Sequence, residues 1–243
     1  GSKKLEFFEA TVTELGEYGT FYLQKKSDEA VLDDMTERLC ALAEEAAEEL
    51  KSSGRSSAPE LKPKQLVMAR FNDGKWYRAR CLGAATKDGV EVQYIDFGTV
   101  EKCPRSRVLP LPAELARQAP LVRKARLAYL RPPSKGDADA ADFLDDFEDL
   151  TAGKTLTATV AYTEDGVLCV LLADDKTAVN VALVRDGLAT LDKRRVPADA
   201  AGSEFDALRE AQDSARSERL HMWRYGDADD EDDAPAPSRG RRY

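Results

Sequence analysis

Residues 71–101, FNDGKWYRARCLGAATKDGVEVQYIDFGTVE, put Phe71, Trp76, Tyr77, Tyr94 and Phe97 into one short, turn-rich stretch. The whole chain of 243 residues holds only 2 Trp, 8 Tyr and 8 Phe. Aromatic faces carry negative quadrupole density, so rings gathered at a surface can hold a cation, at about 0.5–2 kcal/mol per contact depending on desolvation. A methylated guanidinium suits such a wall: it keeps its charge, loses N–H donors and gains apolar surface. Its planar head fits between two parallel rings, with a side-chain oxygen accepting a remaining N–H. The same rings can instead fill the core of a small β-structure, which needs aromatic bulk. Strand alternation constrains the choice, because the adjacent Trp76 and Tyr77 must face opposite sides. Tyr94 and Phe97 have opposite parity and share a site only if the chain turns at Asp96-Phe97-Gly98, which Gly98 permits. Asp96 itself reads as a turn residue or the partner of a nearby Arg.

Other chemistry finds little support. The four cysteines, Cys40, Cys81, Cys103 and Cys169, are widely spaced, with no CxxC and no nearby His to complete a zinc site. They read as free thiols in a reducing compartment, with cytoplasm as the expected location and the nucleus or RNA granules as further ones. His221 is the only histidine and reads as a surface or packing residue near the end of a helix. No phosphate-cradling Gly-rich loop or Cys–His arrangement is recognisable. No enzyme activity, metal or cofactor is expected. Apolar runs such as 158–162 and 167–173 are too short to span a bilayer, so no membrane is expected among the partners.

The net charge of −9 argues against the whole surface binding nucleic acid, but the charge is uneven. Residues 28–50 carry nine acids against Arg38, and 137–149 carry seven acids and no base, both read as solvated helix faces. Residues 61–112 between them hold ten bases (Lys62, Lys64, Arg70, Lys75, Arg78, Arg80, Lys87, Lys102, Arg105, Arg107) and five acids. A single-stranded RNA-binding surface built from these bases and the rings is the competing reading. A scaffold whose acidic helix docks basic partners is a third.

The elements that must position these residues follow from pattern. Residues 5–24 read as two strands around GEYG. Residues 28–50 read as a helix capped by Ser27, with Val31, Leu32, Met35, Leu39, Leu42, Ala46 and Leu50 on one face. A Ser/Gly/Pro linker follows. Residues 61–112 read as four or five short strands separated by Asn72-Asp73-Gly74, Lys87-Asp88-Gly89 and Gly98, best closed as a small barrel. Over 120–225 come a strand, a short helix with Phe143, Leu144, Phe147 and Leu150 on one side, two strands across Glu164-Asp165-Gly166 and a third after Asp174-Asp175. A short helix and a longer amphipathic one starting at Ser203 then follow. Residues 226–243 form an acidic and basic tail too polar to order itself. Two strands at 5–24 are too few to stand alone. The economical architecture is α+β: a second, OB-type barrel split in sequence around the small one, with the helix joining them.

FNDGKWYRAR followed by VQYIDFGTVE resembles the core of a Tudor domain. LVRDGLATL and AQDSARSERLHMWRYGD resemble the split staphylococcal-nuclease-like domain around the last Tudor domain of the Tudor staphylococcal nuclease family, together an extended Tudor domain. The resemblance covers about residues 5–227. It implies a five-stranded Tudor barrel inserted in a nuclease-like barrel, without that family's preceding nuclease-like repeats and without their metal-binding segment. It also implies an aromatic cage for symmetric dimethylarginine in Arg-Gly-rich tails, made by Phe71, Tyr77, Tyr94 and Phe97. Proteins with dimethylated Arg-Gly motifs are then the partners, with Argonaute/Piwi-type and spliceosomal Sm-type proteins suggested by the family. Where that family has Asn after the motif glycine, this chain has Thr99, an acceptor of shorter reach, so weak binding is expected, at about −5 to −6 kcal/mol or tens to hundreds of micromolar.

Overall fold

The computed structural model describes residues 5–54, 60–196 and 198–226. In chain order the elements are β1 (Phe7–Leu15), β2 (Thr20–Lys25), α1 (Glu29–Ser53), β3 (Leu66–Arg70), β4 (Trp76–Cys81), β5 (Val90–Tyr94), β6 (Val100–Cys103) and β7 (Val108–Pro110). There follow α2 (Ala113–Ala116), β8 (Val122–Leu127), β9 (Leu130–Arg131), α3 (Ala140–Thr151), β10 (Leu156–Glu164), β11 (Val167–Ala173), α4 (Val179–Arg185), β12 (Thr190–Leu191) and α5 (Ser203–Glu218). The chain divides into two compact units, Gly1–Ala128 with Glu148–Val179, and Tyr129–Phe147 with Asn180–Tyr243.

The first unit contains the two β-structures expected from the sequence. One is a closed barrel in the order β1-β10-β11-β8-β2, with β8 and β11 parallel and the other pairs antiparallel. Two of its strands precede the inner module and three follow it, so the barrel is split in sequence. Its alternate residues, including Ala10, Phe21, Leu23, Ala125, Leu156, Ala158, Leu168, Val170 and Leu172, are buried. The inner module is an antiparallel five-stranded sheet in the order β6-β5-β4-β3-β7. All five strands supply one core: Val67 and Ala69, Ala79 and Cys81, Val90, Val92 and Tyr94, Cys103, and Val108. Its two outer strands are joined by the short segment 104–107 instead of a direct ladder.

Helix α1 covers the outer face of the inner sheet. Leu32, Met35, Leu39 and Ala43 are its buried residues, and Met35, Leu39 and Ala43 share a cluster with Met68 and Leu115, with Trp76 packed alongside. The expected apolar stripe is therefore narrower than its sequence: Val31 and Leu50 are exposed, since a straight helix over a small sheet buries only its central turns. Ser27 does not cap α1. It lies in a 3-10 turn, Lys26–Asp28, ahead of the helix, and the helix ends on Gly54 at φ 61°, whose N–H bonds the Leu50 carbonyl.

In the second unit β9 and β12 pair, Tyr129 meets Phe205 edge to face at 5.0 Å, and Phe143 stacks on Phe147 at 6.2 Å. Leu208, Ala211 and Ala215 form the buried stripe of α5, which starts after Gly202 with no side-chain cap from Ser203. Leu144, expected beside the two phenylalanines, is exposed. The third strand expected after Asp174-Asp175 is helix α4, reached through one isolated bridge, Ala173 to Ala178. Most of the expected tail lies outside the described residues.

Candidate functional site

The aromatic segment resolves by parity. Interior positions recur every second residue: 67 and 69 on β3, 79 and 81 on β4, 90, 92 and 94 on β5. Extending those rows to the open end of the inner module reaches Phe71 beyond β3 and Tyr77 at the start of β4, beside Tyr94 at the end of β5. Trp76, one residue off the row, packs against the α1 cluster on the other face. Tyr94 is core as well as wall, being only 2% exposed.

Phe97 and Thr99 arrive by the turn after β5. The N–H groups of Phe97 and Gly98 both bond the Tyr94 carbonyl (3.2 and 2.7 Å), and the Tyr94 N–H bonds the Thr99 carbonyl at 2.9 Å. Gly98 holds φ 89°, and a Cβ there would collide with the Tyr22 ring. Glycine is thus required both by conformation and by close packing.

All five expected residues, Phe71, Tyr77, Tyr94, Phe97 and Thr99, line one cavity of about 120 Å³, joined by Asp73. Neighbouring rings meet edge to face: Phe71 with Tyr94 (5.4 Å, 80°), Tyr94 with Tyr77 (6.2 Å, 90°) and Tyr77 with Phe97 (5.1 Å, 78°). The expected slot between two parallel rings does not arise among these neighbours. Successive walls stand nearly at right angles, which is the mutual arrangement aromatic quadrupoles prefer. A wider hollow of about 510 Å³ beside Gly83, Thr86, Glu91, Val100, Glu101 and Lys102 contains no ring, so of these two cavities the smaller is the one walled by aromatic faces.

Both phenols are anchored by carboxylates. Tyr94 donates to Glu101 (2.5 Å), which also pairs with Arg107 at 3.1 Å. Tyr77 donates to Asp73 at 2.6 Å. Burial first, and these hydrogen bonds second, push both hydroxyls well above the ordinary 10.0, so each stays a neutral donor. In sequence Asp73 reads as a turn residue only. It does cap the turn, accepting the Lys75 N–H at 2.9 Å, and the cue to its second role is its spacing four residues before Tyr77.

Next to Tyr77 and Phe97 in the chain lies a buried ion pair. Arg78 and Asp96 are 0% and 2% exposed, so Arg78 is unavailable to the basic patch expected for RNA. Elsewhere, Asp139 accepts from Arg224 and lies 3.2 Å from His221, with Asp142 3.7 Å from the same ring. Asp139, Asp142 and His221 have the atoms for a metal site, but Arg224 already neutralises Asp139. Asp139 is buried, not part of a solvated face, and sequence periodicity carried no sign of a partner 82 residues away.

A family model described as Tudor domain matches residues 2–129, and one described as staphylococcal nuclease homologue matches residues 139–225. The chain belongs to the Tudor domain family. This Tudor chain is 30% identical over 99% of its length to Ribonuclease TUDOR 2 of Arabidopsis thaliana, of which it spans 26%. It therefore spans about a quarter of the length of this relative and of Ribonuclease TUDOR 1 of the same organism. In fold it is similar to the extended Tudor domain of Drosophila melanogaster Tudor-SN, at a TM-score of 0.74 and 23% identity, covering 90% of this chain and 99% of that one. It is also similar to the human TDRD1 extended Tudor domain, solved with a symmetrically dimethylated peptide, at a TM-score of 0.68 and 22% identity, covering 79% and 93%. The fold is thus that of an extended Tudor domain, a Tudor module within a split nuclease-like barrel.

Proposed function

We propose that this chain reads symmetric dimethylarginine in Arg-Gly-rich peptides and serves as a non-catalytic adaptor part of a larger RNA-associated protein. The observation carrying this reading is the cavity of four rings at the mouth of the inner module. Such a box offers a dry, electron-rich wall to a cation that has exchanged N–H groups for methyls. The relatives add support, since an extended Tudor domain of the same fold was solved with a symmetrically dimethylated peptide. The proposed partners are proteins bearing dimethylated Arg-Gly motifs, with Argonaute/Piwi-type and Sm-type proteins the first to try. Fluorescence polarisation of a labelled Arg-Gly peptide in the presence of excess single-stranded RNA tests the reading. Saturable binding of the symmetric dimethyl form that RNA does not displace is the expected result. Binding of RNA alone, falling steeply with salt, would make this a nucleic-acid module instead.

A further inference from the structure

The cage has one formal charge on its wall. Of the six lining residues only Asp73 carries a carboxylate, and its side chain is exposed at the rim. Its two carboxylate oxygens are each used once, by the Lys75 N–H (2.9 Å) and the Tyr77 hydroxyl (2.6 Å). Both donors are neutral, and among the described residues no Lys, Arg or His forms an ion pair with it. A carboxylate has about four lone-pair sites, so each oxygen retains room for another donor. Thr99, the other polar wall, offers only a neutral hydroxyl.

Resting on the methylarginine reading above, we infer that Asp73 is the residue that selects for charge: it accepts a charge-assisted hydrogen bond from the remaining N–H of the bound guanidinium. This contact takes the place of the amide that the Tudor family usually carries where this chain has Thr99. An N⁺–H···O⁻ bond is about twice as strong as a neutral one. The hydrogen bond from Tyr77 works in the same direction, holding the carboxylate at the cavity edge and the ring face toward the cation.

The test must separate the charge of Asp73 from its role in positioning Tyr77. Asp73→Asn and Asp73→Ser both keep a turn-capping oxygen and remove the charge, whereas Tyr77→Phe removes the Tyr77–Asp73 bond and keeps the charge. Affinity for a peptide carrying symmetric dimethylarginine is measured by calorimetry for all four proteins, alongside the Tm of each. The expected result is a loss of about tenfold or more in the two Asp73 variants, with a smaller loss in Tyr77→Phe, which gives up the positioning bond but keeps the charge. Wild-type affinity in the Asp73 variants at normal Tm, or a loss in Tyr77→Phe equal to theirs, overturns this inference alone. A wild-type protein that binds no dimethylarginine peptide overturns the cage reading and this inference together.

Discussion

Arg78 and Asp96 form a bidentate, fully buried ion pair in which every N–H of the guanidinium has a partner. Nε and Nη2 bond the two Asp96 oxygens (2.9 and 2.6 Å), while Nη1 bonds the carbonyls of Leu115 and Gln118 and Nη2 that of Ala119. Asp96 also accepts the Leu121 N–H at 2.9 Å. The pair therefore ties the turn carrying Phe97 to the segment that leads back into the split barrel.

Breaking one side of this pair leaves a buried, unmatched charge, which costs about 3–5 kcal/mol. Arg78→Met is expected to lower unfolding free energy by that amount in urea titrations. Arg78→Met/Asp96→Leu is expected to be less destabilised than the sum of the single variants, because neither charge is then stranded.

The turn is held a second time through its carbonyls. Gln24 bonds the Asp96 carbonyl (2.6 Å), Thr13 that of Phe97 (2.5 Å) and Gln93 that of Gly98 (3.2 Å). Thr13 and Gln24 belong to β1 and β2, so two strands of the split barrel help set the position of Phe97 in the cavity of the inner module. Thr13→Val keeps the shape and removes one bond, for an expected stability loss of about 0.5–1.5 kcal/mol. Peptide affinity should fall several-fold while secondary structure, followed by circular dichroism, stays unchanged. An unchanged affinity would mean that Phe97 is positioned by packing alone.

Alkaline pH gives a prediction whose sign follows from the two phenols. Tyr77 and Tyr94 ionise well above the ordinary 10.0 in the folded protein and near it when unfolded. Above about pH 10 the folded state holds more protons than the unfolded one, so stability present below that pH is lost as pH rises through it. Denaturation midpoints should be insensitive to these groups up to about pH 10 and decline beyond. Tyr94→Phe should flatten the decline.

Much of this was legible in the sequence. Period-2 apolar rows and Asp-Gly steps marked the small strands, and the shortage of partners for residues 5–24 required a barrel split in sequence. Which rings would line a site came from the resemblance to a Tudor core; strand parity showed only that Trp76 and Tyr77 face opposite sides, and Gly98 permitted the turn that lets Tyr94 and Phe97 meet. What was hidden depends on contacts between distant positions. In sequence Arg78 is one more surface base, and nothing local shows that residues 115–121 bury it. Asp139 is separated from Arg224 and His221 by more than eighty residues, and Asp73 was absorbed into its turn. One helix terminus also misled, since Ser27 had the right side chain for a cap but lies in the 3-10 turn ahead of the helix.

Thr99 stands where the resemblance to the Tudor staphylococcal nuclease family implies Asn. Restoring the amide with Thr99→Asn adds an acceptor of longer reach beside the cavity. A gain of about threefold to tenfold in affinity is expected from one added hydrogen bond to a cation, measured with the symmetric dimethyl peptide. No gain would indicate that Asp73 already saturates the available N–H.

The central claim is tested most directly by calorimetry of one Arg-Gly peptide in unmodified, asymmetric dimethyl and symmetric dimethyl forms. Wild type is compared with Phe97→Leu, a variant that removes a ring face from a half-buried position and spares Tyr94, which the core needs. Saturable binding of the symmetric form at about tens to hundreds of micromolar, preferred over the other two and lost in the variant, is the expected result. Equal heats for all three forms, or binding that survives Phe97→Leu, would contradict it.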